Sequence, residues 1–361
     1  MRKDECKIKR LLQLIIFLSM IVAITPACSH TPKIVDANGM VLEKSIAVIE
    51  VVNIGGVEQC IIMRGVDVEN PVLLYIHGGP GIPDTPMVIK YNSDLESDFV
   101  VVNWDQRGTG KSYSKKIPTE TINVEQFISD AHELVQYLKN KFDTDKIYIV
   151  GHSWGSVMGM YLIDRYPEDF YAYVGIGQVV NIDQNEIISY EFTLRVAEET
   201  QNKKALKELH KIGPPVKGLY KNFYDDLMIQ RKWLLKFGGA LHGQTSYLGF
   251  FKDYIFSKEY KISEALNVLK GSKHSVKIMW KNIAEIDFFT EIDTVDVPVY
   301  FFVGRHDWNT PFELAEKYYN ILEAPQKELI WFESSAHSPC YEEPEKFNRL
   351  MVEKVKAETL K

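Results

Sequence analysis

The chain has 361 residues, of which 45% are hydrophobic, and its formal net charge at pH 7 is −7. A chain of this length and composition can bury a large core, which excludes intrinsic disorder as the default state. The acidic balance argues against a nucleic-acid partner, because phosphate binding requires clustered Lys and Arg side chains. The composition therefore favours a globular protein with one large domain or two smaller ones.

The first 28 residues have the pattern of an export signal. A basic start is followed by an apolar run from Leu11 to Ile24 and then by small residues. Without this segment, which holds five of the 42 basic residues and two of the 49 acidic ones, the net charge is −10. The small Ala27 before Cys28 resembles a bacterial lipoprotein signal, in which Cys28 would carry the lipid. We expect an exported protein attached to the cell envelope or membrane; the alternatives are an uncleaved N-terminal anchor and a secreted protein.

From residue 43 onward, apolar runs predict alternating strands and helices. The first two predicted strands, KSIAVIEVV and VEQCIIMRG, flank a turn at Gly55 and Gly56 and are expected to pair antiparallel. The strand runs PVLLYIHGG, DFVVVNWDQRG, KIYIV and FYAYVGIG follow, and their continuous apolar character is typical of a parallel sheet buried on both faces. Helices are predicted over VEQFISDAHELVQYLKNKF and WGSVMGMYLIDRYP.

Residues 181–296 contain no strong strand pattern. Amphipathic segments such as NEIISYEFTLRVAEETQNKKALKELHKIG, which is followed by Pro214 and Pro215, predict a helical cap. The alternation then resumes with strand VPVYFFVG, helix PFELAEKYYNIL, strand ELIWFES and a final helix EEPEKFNRLMVEKVKAETL. The sequence therefore predicts an α/β core over residues 43–180 and 297–361, with a mostly parallel central sheet and helices on both faces.

The stretch GHSWGS contains a GxSxG pattern from Gly151 to Gly155, between a predicted strand and a predicted helix. On such a turn, a serine side chain is held clear of the sheet. The two glycines allow the close packing that this turn requires. Ser153 is therefore the candidate nucleophile, and the alternative is a glycine-bracketed turn without chemistry.

A serine nucleophile requires a histidine base and an acid that orients the histidine. Asp307 follows the strand VPVYFFVG and His337 follows the strand ELIWFES, so these residues succeed Ser153 in the order expected for such hydrolases. All three follow strand ends and are expected at one edge of the sheet. Asp293 and Asp296 precede their strand and are weaker candidates for the acid.

Negative charge on a substrate oxygen requires preorganised donors, usually two backbone N–H groups. We expect one from Trp154, the residue after the nucleophile, and one from Gly79 in the HGGPG loop, with Gly78 as the alternative. His152 and His306 are expected to have structural roles.

Neither a cofactor nor a metal is predicted. RGTGKS resembles the end of a phosphate-binding loop, but Asp105 stands where the first glycine is required. HELVQ has Gln136 in place of the second histidine of a zinc helix. Cys60 and Cys340 are too few for a disulfide framework and lack metal-ligand spacing, so we expect unpaired thiols.

HGGPG, WDQRGTGKS, GHSWGS, GRHD and the late His337 together resemble the proline iminopeptidase branch of the α/β-hydrolase superfamily. The resemblance covers residues 45–180 and 297–355. It implies an α/β-hydrolase fold and a metal-free serine hydrolase that acts through an acyl-enzyme. Its substrates would be small molecules or short peptides, from which the enzyme releases an N-terminal residue, often proline.

By motif, the resemblance assigns the catalytic triad to Ser153, Asp307 and His337 and the oxyanion hole to Gly79 and Trp154. The alternatives are an ester, lactone or other amide hydrolase of the same fold and, more remotely, a ligand-binding protein without catalysis.

The resemblance also implies that acidic side chains of the cap hold the free amino terminus of the substrate. Glu191, Glu198 and Asp253 are the candidates that the sequence offers for this role.

Overall fold

The computed structural model describes residues 29–360, so the predicted export segment and the predicted lipid site at Cys28 lie outside the described residues. Within the described part, eight strands form one sheet with the order β1-β2-β4-β3-β5-β6-β7-β8. The strands are β1 (Ile46–Ile54), β2 (Val57–Gly65), β3 (Val72–Ile76), β4 (Val100–Asp105), β5 (Ile147–His152), β6 (Phe170–Ile176), β7 (Val299–Gly304) and β8 (Lys327–Phe332). β2 pairs antiparallel with β1 and with β4, and the other neighbouring strands pair in parallel. The predicted mostly parallel sheet and its opening hairpin are confirmed.

Helices cover both faces of the sheet and the carboxyl ends of its parallel strands. They are α1 (Thr85–Tyr91), α2 (Val124–Phe142), α3 (Trp154–Arg165), α4 (Ile182–Glu199), α5 (Lys203–Ile212), α6 (Phe223–Lys236), α7 (Leu248–Phe256), α8 (Ile262–Ile283), α9 (Phe288–Glu291), α10 (Phe312–Ile321), α11 (Pro339–Glu342), α12 (Pro344–Leu350) and α13 (Ala357–Thr359). Among residues 29–360, no helix is both long and apolar enough to cross a membrane.

Alternate residues of the central strands belong to two separate hydrophobic cores. In β3, Leu74 and Ile76 pack on the side of α2, α3 and α10. Leu73 and Tyr75 pack on the side of α1 and α12. Full burial of each such side chain stabilises the fold by about 1.5–3 kcal/mol, so both layers hold the sheet rigidly and fix the positions of its strand ends.

The segment between β6 and β7 is helical and has a hydrophobic core of its own, which includes Tyr190, Leu209 and Trp233. The long amphipathic segment predicted here divides into α4 and α5. The division has a local cause, because the Asn202 side chain accepts a hydrogen bond from the Ala205 N–H at 3.1 Å and so caps a new helix.

The cap also contacts the core through α8. A Cβ at Gly271 would lie 2.3 Å from the carbonyl oxygen of Gly108, in the loop after β4. The missing side chain lets the helix cross directly over that loop, so the cap covers the carboxyl edge of the parallel strands.

The final helix departs from the regular helix that its sequence predicts. After α12 the backbone forms a π-helix over Met351–Lys356 before the short α13. Met351 and Val355 are fully buried in this stretch. Their apolar period does not distinguish an α-helix from a π-helix, since both bury residues four apart.

Candidate active site

Ser153 lies at the turn between β5 and α3, at the carboxyl edge of the sheet. Its backbone angles are φ 55° and ψ −117°, and positive φ is unfavourable for a residue with a side chain. The Ser153 N–H donates to the Ile176 carbonyl at 2.8 Å. A Cβ at Gly155 would lie 1.9 Å from the Ile76 carbonyl oxygen, so only glycine fits there. The turn holds the half-buried Ser153 side chain toward a cavity.

Asp307 and His337 are in direct contact, and both are buried. His337 Nδ1 lies 2.9 Å from Asp307 Oδ2. The carboxylate also accepts from the Asn309 and Thr310 N–H groups at 2.9 Å and from the Thr310 hydroxyl at 2.8 Å. Because a carboxylate only accepts, the neutral His337 ring carries its proton on Nδ1. Its Nε2 lone pair is then available to take a proton from a hydroxyl group.

The loop that carries His337 is held by the Glu342 carboxylate. The Ala336 and Ser338 N–H groups donate to Glu342 Oε1 at 3.1 and 3.0 Å, and the His242 N–H donates to Oε2 at 2.7 Å. Burial raises the pKa of Glu342, and these donors oppose the shift because they stabilise the charged form. Since His242 belongs to the cap, the carboxylate also ties the cap to this loop.

Ser153 and His337 line the same cavity. Among the described residues, the His337 ring bonds through Nδ1, and no hydrogen bond joins it to the Ser153 hydroxyl. Such bonds are often long in substrate-free enzymes and shorten when substrate binds. The structure therefore brings the three predicted residues to one site, with the contact between Asp307 and His337 already formed.

The HGGPG loop passes beside Ser153. Gly78, Gly79 and Trp154 line the cavity together with the serine. A Cβ at Gly78 would lie 3.1 Å from Ser153 Cβ, so the missing side chain allows the close approach of the loop. Trp154 is the first residue of α3, and its N–H therefore has no partner within the helix. The positive end of the helix dipole lies at the same place.

One buried network fixes this loop relative to Trp154. His77 Nδ1 lies 2.8 Å from the Gly78 carbonyl, and the Gln106 N–H lies 3.2 Å from His77 Nε2. The Gln106 side chain donates to the His77 carbonyl at 3.0 Å and accepts from the Trp154 indole at 3.1 Å. Nδ1 must donate and Nε2 must accept, so the ring is neutral. Burial lowers the pKa of His77 to about 4, in agreement with that tautomer.

His152, within the elbow, has the structural role expected of it. Its Nδ1 lies 2.9 Å from Asp84 Oδ2, and its Nε2 lies 3.1 Å from the His337 carbonyl. Both of these partners only accept, so the geometry favours donation from both ring nitrogens and the imidazolium form. Burial lowers the pKa of His152, but the charge and hydrogen bond of Asp84 outweigh it, and the net shift is upward. His152 thereby holds the backbone of His337 in place.

A cavity of about 510 Å³ lies between the sheet edge and the cap. Its size falls in the range of small-molecule sites, about 300–1,000 Å³. The cap side is mostly apolar. The apolar lining of the cap side includes Leu227, Met228, Val268 and Leu269. Charged side chains also reach the cavity from the cap, among them Glu186 and Arg231.

Glu186, on α4, is a fully buried carboxylate in this lining. Its Oε1 accepts hydrogen bonds from the Arg231 guanidinium and from the Asn185 side chain, the latter at 3.2 Å. Its Oε2 is also buried and has no hydrogen-bond partner within the described residues. A buried oxygen without a partner costs about 1–3 kcal/mol or more, and a ligand with an N–H donor would remove that cost.

The three acidic cap residues suggested by the sequence are not part of this lining. Glu191 and Glu198 are exposed on α4. Asp253 lies 2.6 Å from Lys90 in a salt bridge. The expectation for these residues is therefore wrong, and Glu186 is the acidic cap side chain in the cavity.

Other predicted features have ordinary structural explanations. His306 stacks on His242 with ring centroids 4.0 Å apart, beside the site and not in its lining. Cys60 and Cys340 are buried free thiols, and burial raises the pKa of both. In residues 29–360 no group of three or more His, Cys, Asp or Glu side chains could hold a metal ion.

Sequence reasoning missed Asp84, Thr310, Glu186 and Arg231. Thr310 had a local signal, since a hydroxyl three residues after an aspartate can bond it. Asp84 had none, because its contact with His152 spans 68 residues.

The family model described as Serine aminopeptidase, S33 matches residues 95–344, more than half of the chain. The probable aminopeptidase YbaC of Bacillus subtilis (strain 168) is 37% identical over 306 residues, covering 84% of this chain and 95% of YbaC. A proline iminopeptidase of Heyndrickxia coagulans is 23% identical, covering 77% of this chain and 87% of its own length.

Among solved structures, the proline iminopeptidase of Mycobacterium smegmatis superposes with a TM-score of 0.60 at 13% identity, covering 86% of this chain and 99% of that one. At this identity the likeness supports the fold alone, and the predicted α/β-hydrolase fold is confirmed. With the family match and the identity to YbaC, the chain belongs to the serine aminopeptidase family S33 of α/β-hydrolases.

Proposed function

We propose that this chain is a serine aminopeptidase that removes an N-terminal residue from short peptides through an acyl-enzyme, as proline iminopeptidases do. The observation that carries the proposal is the unpartnered oxygen of Glu186 in the cavity that Ser153 also lines. A buried carboxylate in the same cavity as a nucleophile suits a substrate with a positively charged amine next to its reacting carbonyl.

In the first half of the reaction, Ser153 Oγ attacks the carbonyl carbon while its proton passes to His337 Nε2. Asp307 orients the ring and stabilises the imidazolium that forms. The backbone N–H groups of Gly79 and Trp154 donate to the oxyanion. When the tetrahedral intermediate collapses, the C–N bond breaks and the leaving amine takes the proton from His337.

In the second half, a water molecule attacks the acyl-enzyme. His337 accepts a proton from this water, and the ester bond to Ser153 breaks as the serine oxygen recovers a proton. The products are a free amino acid and a peptide one residue shorter. The residues of the protein return to their starting protonation states.

The cap supplies recognition in this proposal. Arg231 and Asn185 occupy Oε1 of Glu186, so Oε2 is left for the substrate ammonium group. The buried Glu186 side chain forms an ion pair with Arg231, which holds its Oε1 in place. A hydrogen bond to a charged group contributes about 1.5–3 kcal/mol, or roughly 10- to 150-fold in binding.

The second candidate is a hydrolase of esters, lactones or other amides. The mostly apolar lining of the cap side favours it, because a hydrophobic acyl group would fit there without an amine. The same acyl-enzyme chemistry would apply, and only the role of Glu186 would change.

The test compares five substrates: proline and alanine 4-nitroanilides, their N-acetyl forms and 4-nitrophenyl butyrate. Ser153→Ala provides the blank. We expect turnover of the free-amine anilides, little turnover of the blocked ones, and none above background in the blank.

Glu186→Gln keeps the shape of the side chain and removes its charge. We expect the ratio of kcat/KM for alanine anilide to kcat/KM for the ester to fall about 10- to 100-fold. Glu191→Gln is the matched control, since Glu191 is an exposed residue of the same helix, and the ratio should not change.

Cleavage of the ester alone would overturn the aminopeptidase proposal and support the second candidate. Equal ratios in Glu186→Gln and Glu191→Gln would remove Glu186 from amine recognition. A complete lack of turnover that matches the Ser153→Ala blank would favour a ligand-binding protein.

A further inference from the structure

The cap carries an exposed apolar surface beside the cavity. We define it as the cap apolar face, formed by Leu248, Phe251 and Phe256 of α7 and Leu266 and Leu269 of α8. Phe256 is 74% exposed and Leu269 is 58% exposed. The two helices pack against each other, so these side chains belong to one neighbourhood. A group of exposed apolar side chains on neighbouring helices is typical of a binding site for a protein or a membrane.

The cap apolar face is continuous with the cavity. Phe251 and Leu269 are exposed to solvent and also line the cavity that holds Ser153. The entrance to the site therefore opens on this face, and whatever covers the face lies next to the entrance.

Basic side chains accompany the apolar ones, although the protein as a whole is acidic. The helix α8 contains four lysines and one glutamate, whereas the chain has a net charge of −7. The glutamate, Glu264, is neutralised by Lys111 at 2.9 Å. Lys270, next to Leu269, is exposed. The helix therefore presents a positive surface that complements an anionic partner.

The chain enters the described structure on the same side of the cap. Ser29 accepts a hydrogen bond from Lys111 Nζ at 2.8 Å, and this ammonium also donates to the Glu259 carbonyl at 2.9 Å. The His30 N–H donates to the Lys258 carbonyl at 3.0 Å. Lys258 is two residues beyond Phe256, so the first described residues, Ser29 and His30, lie beside the cap apolar face.

We propose that the cap apolar face docks on the surface of an anionic lipid bilayer, to which the segment before Ser29 attaches the chain. In this proposal the attachment is either the apolar run Leu11–Ile24 or a lipid on Cys28, and both precede Ser29, which lies on this side of the cap. Exposed Phe and Leu side chains enter the interface between head groups and acyl chains, while lysines contact the anionic head groups.

Docking has a consequence for access to the site. The N-terminal attachment alone would hold the chain at a membrane, and a second apolar and basic contact would orient the cap against the bilayer surface. The bilayer would then lie against the entrance of the cavity, so substrates that partition into the lipid interface would reach Ser153 along the surface. This orientation does not depend on the reaction that the site performs.

The experiment uses the full chain, produced in a bacterium and recovered in its membranes. The photoreactive residue p-benzoylphenylalanine replaces Phe256 or Leu269, and in a matched control it replaces Ile321. Ile321 is 46% exposed but ends α10, at the amino edge of the sheet, and it does not line the cavity. After irradiation, intact mass identifies the adduct and the first residue of the mature chain.

We expect lipid adducts at positions 256 and 269 and at least tenfold fewer at position 321. In vesicles of phosphatidylcholine with one-quarter phosphatidylglycerol, the yield at position 269 should be severalfold higher than in phosphatidylcholine alone. A lack of lipid adducts at both cap positions, or equal yields at all three positions, would overturn the proposal. Cross-links that double the mass of the chain or add another protein would also overturn the proposal. Equal yields in the two kinds of vesicle would show that the docking does not depend on anionic lipid.

Discussion

Side chains from the sheet edge and from the cap line one cavity, but their polar groups differ in how completely they are bonded. At the sheet edge, Asp307 accepts four hydrogen bonds, and both ring nitrogens of His152 have partners. In the cap, Glu186 Oε2 is buried without a partner among the described residues.

The difference separates catalysis from recognition. Groups that act in a transition state are most effective when they are fixed before the substrate arrives. Groups that bind a substrate must keep bonding capacity free for it. The saturated sheet edge therefore suits the chemistry common to the family, and the unsaturated cap suits the selection of a particular substrate.

The largest effect should follow from Asp307→Asn. The amide can donate toward His337 Nδ1 and so favours the wrong tautomer, in which Nε2 carries the proton. We expect kcat to fall about 10⁴-fold, as such changes do in other serine hydrolases. Asp293→Asn, at an exposed position before β7, is the control and should leave kcat within twofold of wild type.

A small loss in Asp307→Asn, within about tenfold of wild type, would contradict the assignment. It would mean that the fixed bonding around Asp307 supports the fold without supporting catalysis.

The next prediction compares a buried ion pair of the core with an exposed one of the cap. Arg107 and Asp130 have fully buried side chains, with Nε and Oδ2 2.6 Å apart and Nη2 and Oδ1 2.7 Å apart. Arg107→Met leaves the Asp130 charge buried and should lower the free energy of unfolding by about 3–5 kcal/mol. Lys232→Met breaks a partly exposed pair with Glu208 and should cost about 1 kcal/mol or less.

Urea denaturation followed by circular dichroism measures both values. Similar losses in the two variants would contradict the expectation that breaking the buried pair destabilises the fold more than breaking the partly exposed pair.

The third prediction concerns the effect of pH on stability through His77. Burial lowers its pKa from the ordinary value of 6.5 to about 4 in the folded protein. Between these two values the unfolded chain binds more protons at this site, so acidification from pH 6.5 to 4 removes stability. The loss from this group is about 3 kcal/mol.

Asp105 contributes with the opposite sign, since burial raises its pKa from 3.8 to about 6 and favours the protonated folded state in acid. The comparison must therefore be made between variants. His77→Gln should reduce the loss of unfolding free energy between pH 6.5 and 4 relative to wild type. An unchanged dependence on pH would mean that His77 is not held neutral in the HGGPG loop.

The sheet-edge residues could be predicted because strand ends fix positions that the sequence reveals. Ser153, Asp307 and His337 each follow an apolar run that predicts a strand, and parallel strands end at the same edge. Gly155 added a local requirement, since the turn leaves no space for a side chain there. Neither signal depends on how distant helices pack.

The cap residues were harder to predict, because helix packing decides which side chains face the cavity. Glu186 lies in phase with the buried residues Ile182, Ser189, Tyr190 and Thr193 of α4, whereas Glu191 and Glu198 lie out of phase. A charged residue in the buried phase was therefore a usable signal. Arg231 had no such signal, since its contact with Glu186 spans 45 residues.

The most direct test of the central claim is the reaction of the folded chain with a fluorophosphonate, read by intact mass and peptide mapping. If Ser153 is an activated nucleophile, we expect one adduct per chain, on Ser153. The adduct should be absent in Ser153→Ala and in denatured protein, and it should form much more slowly in His337→Ala. A lack of adduct on folded protein, or an adduct that persists in Ser153→Ala, would contradict the assignment of Ser153 as the nucleophile.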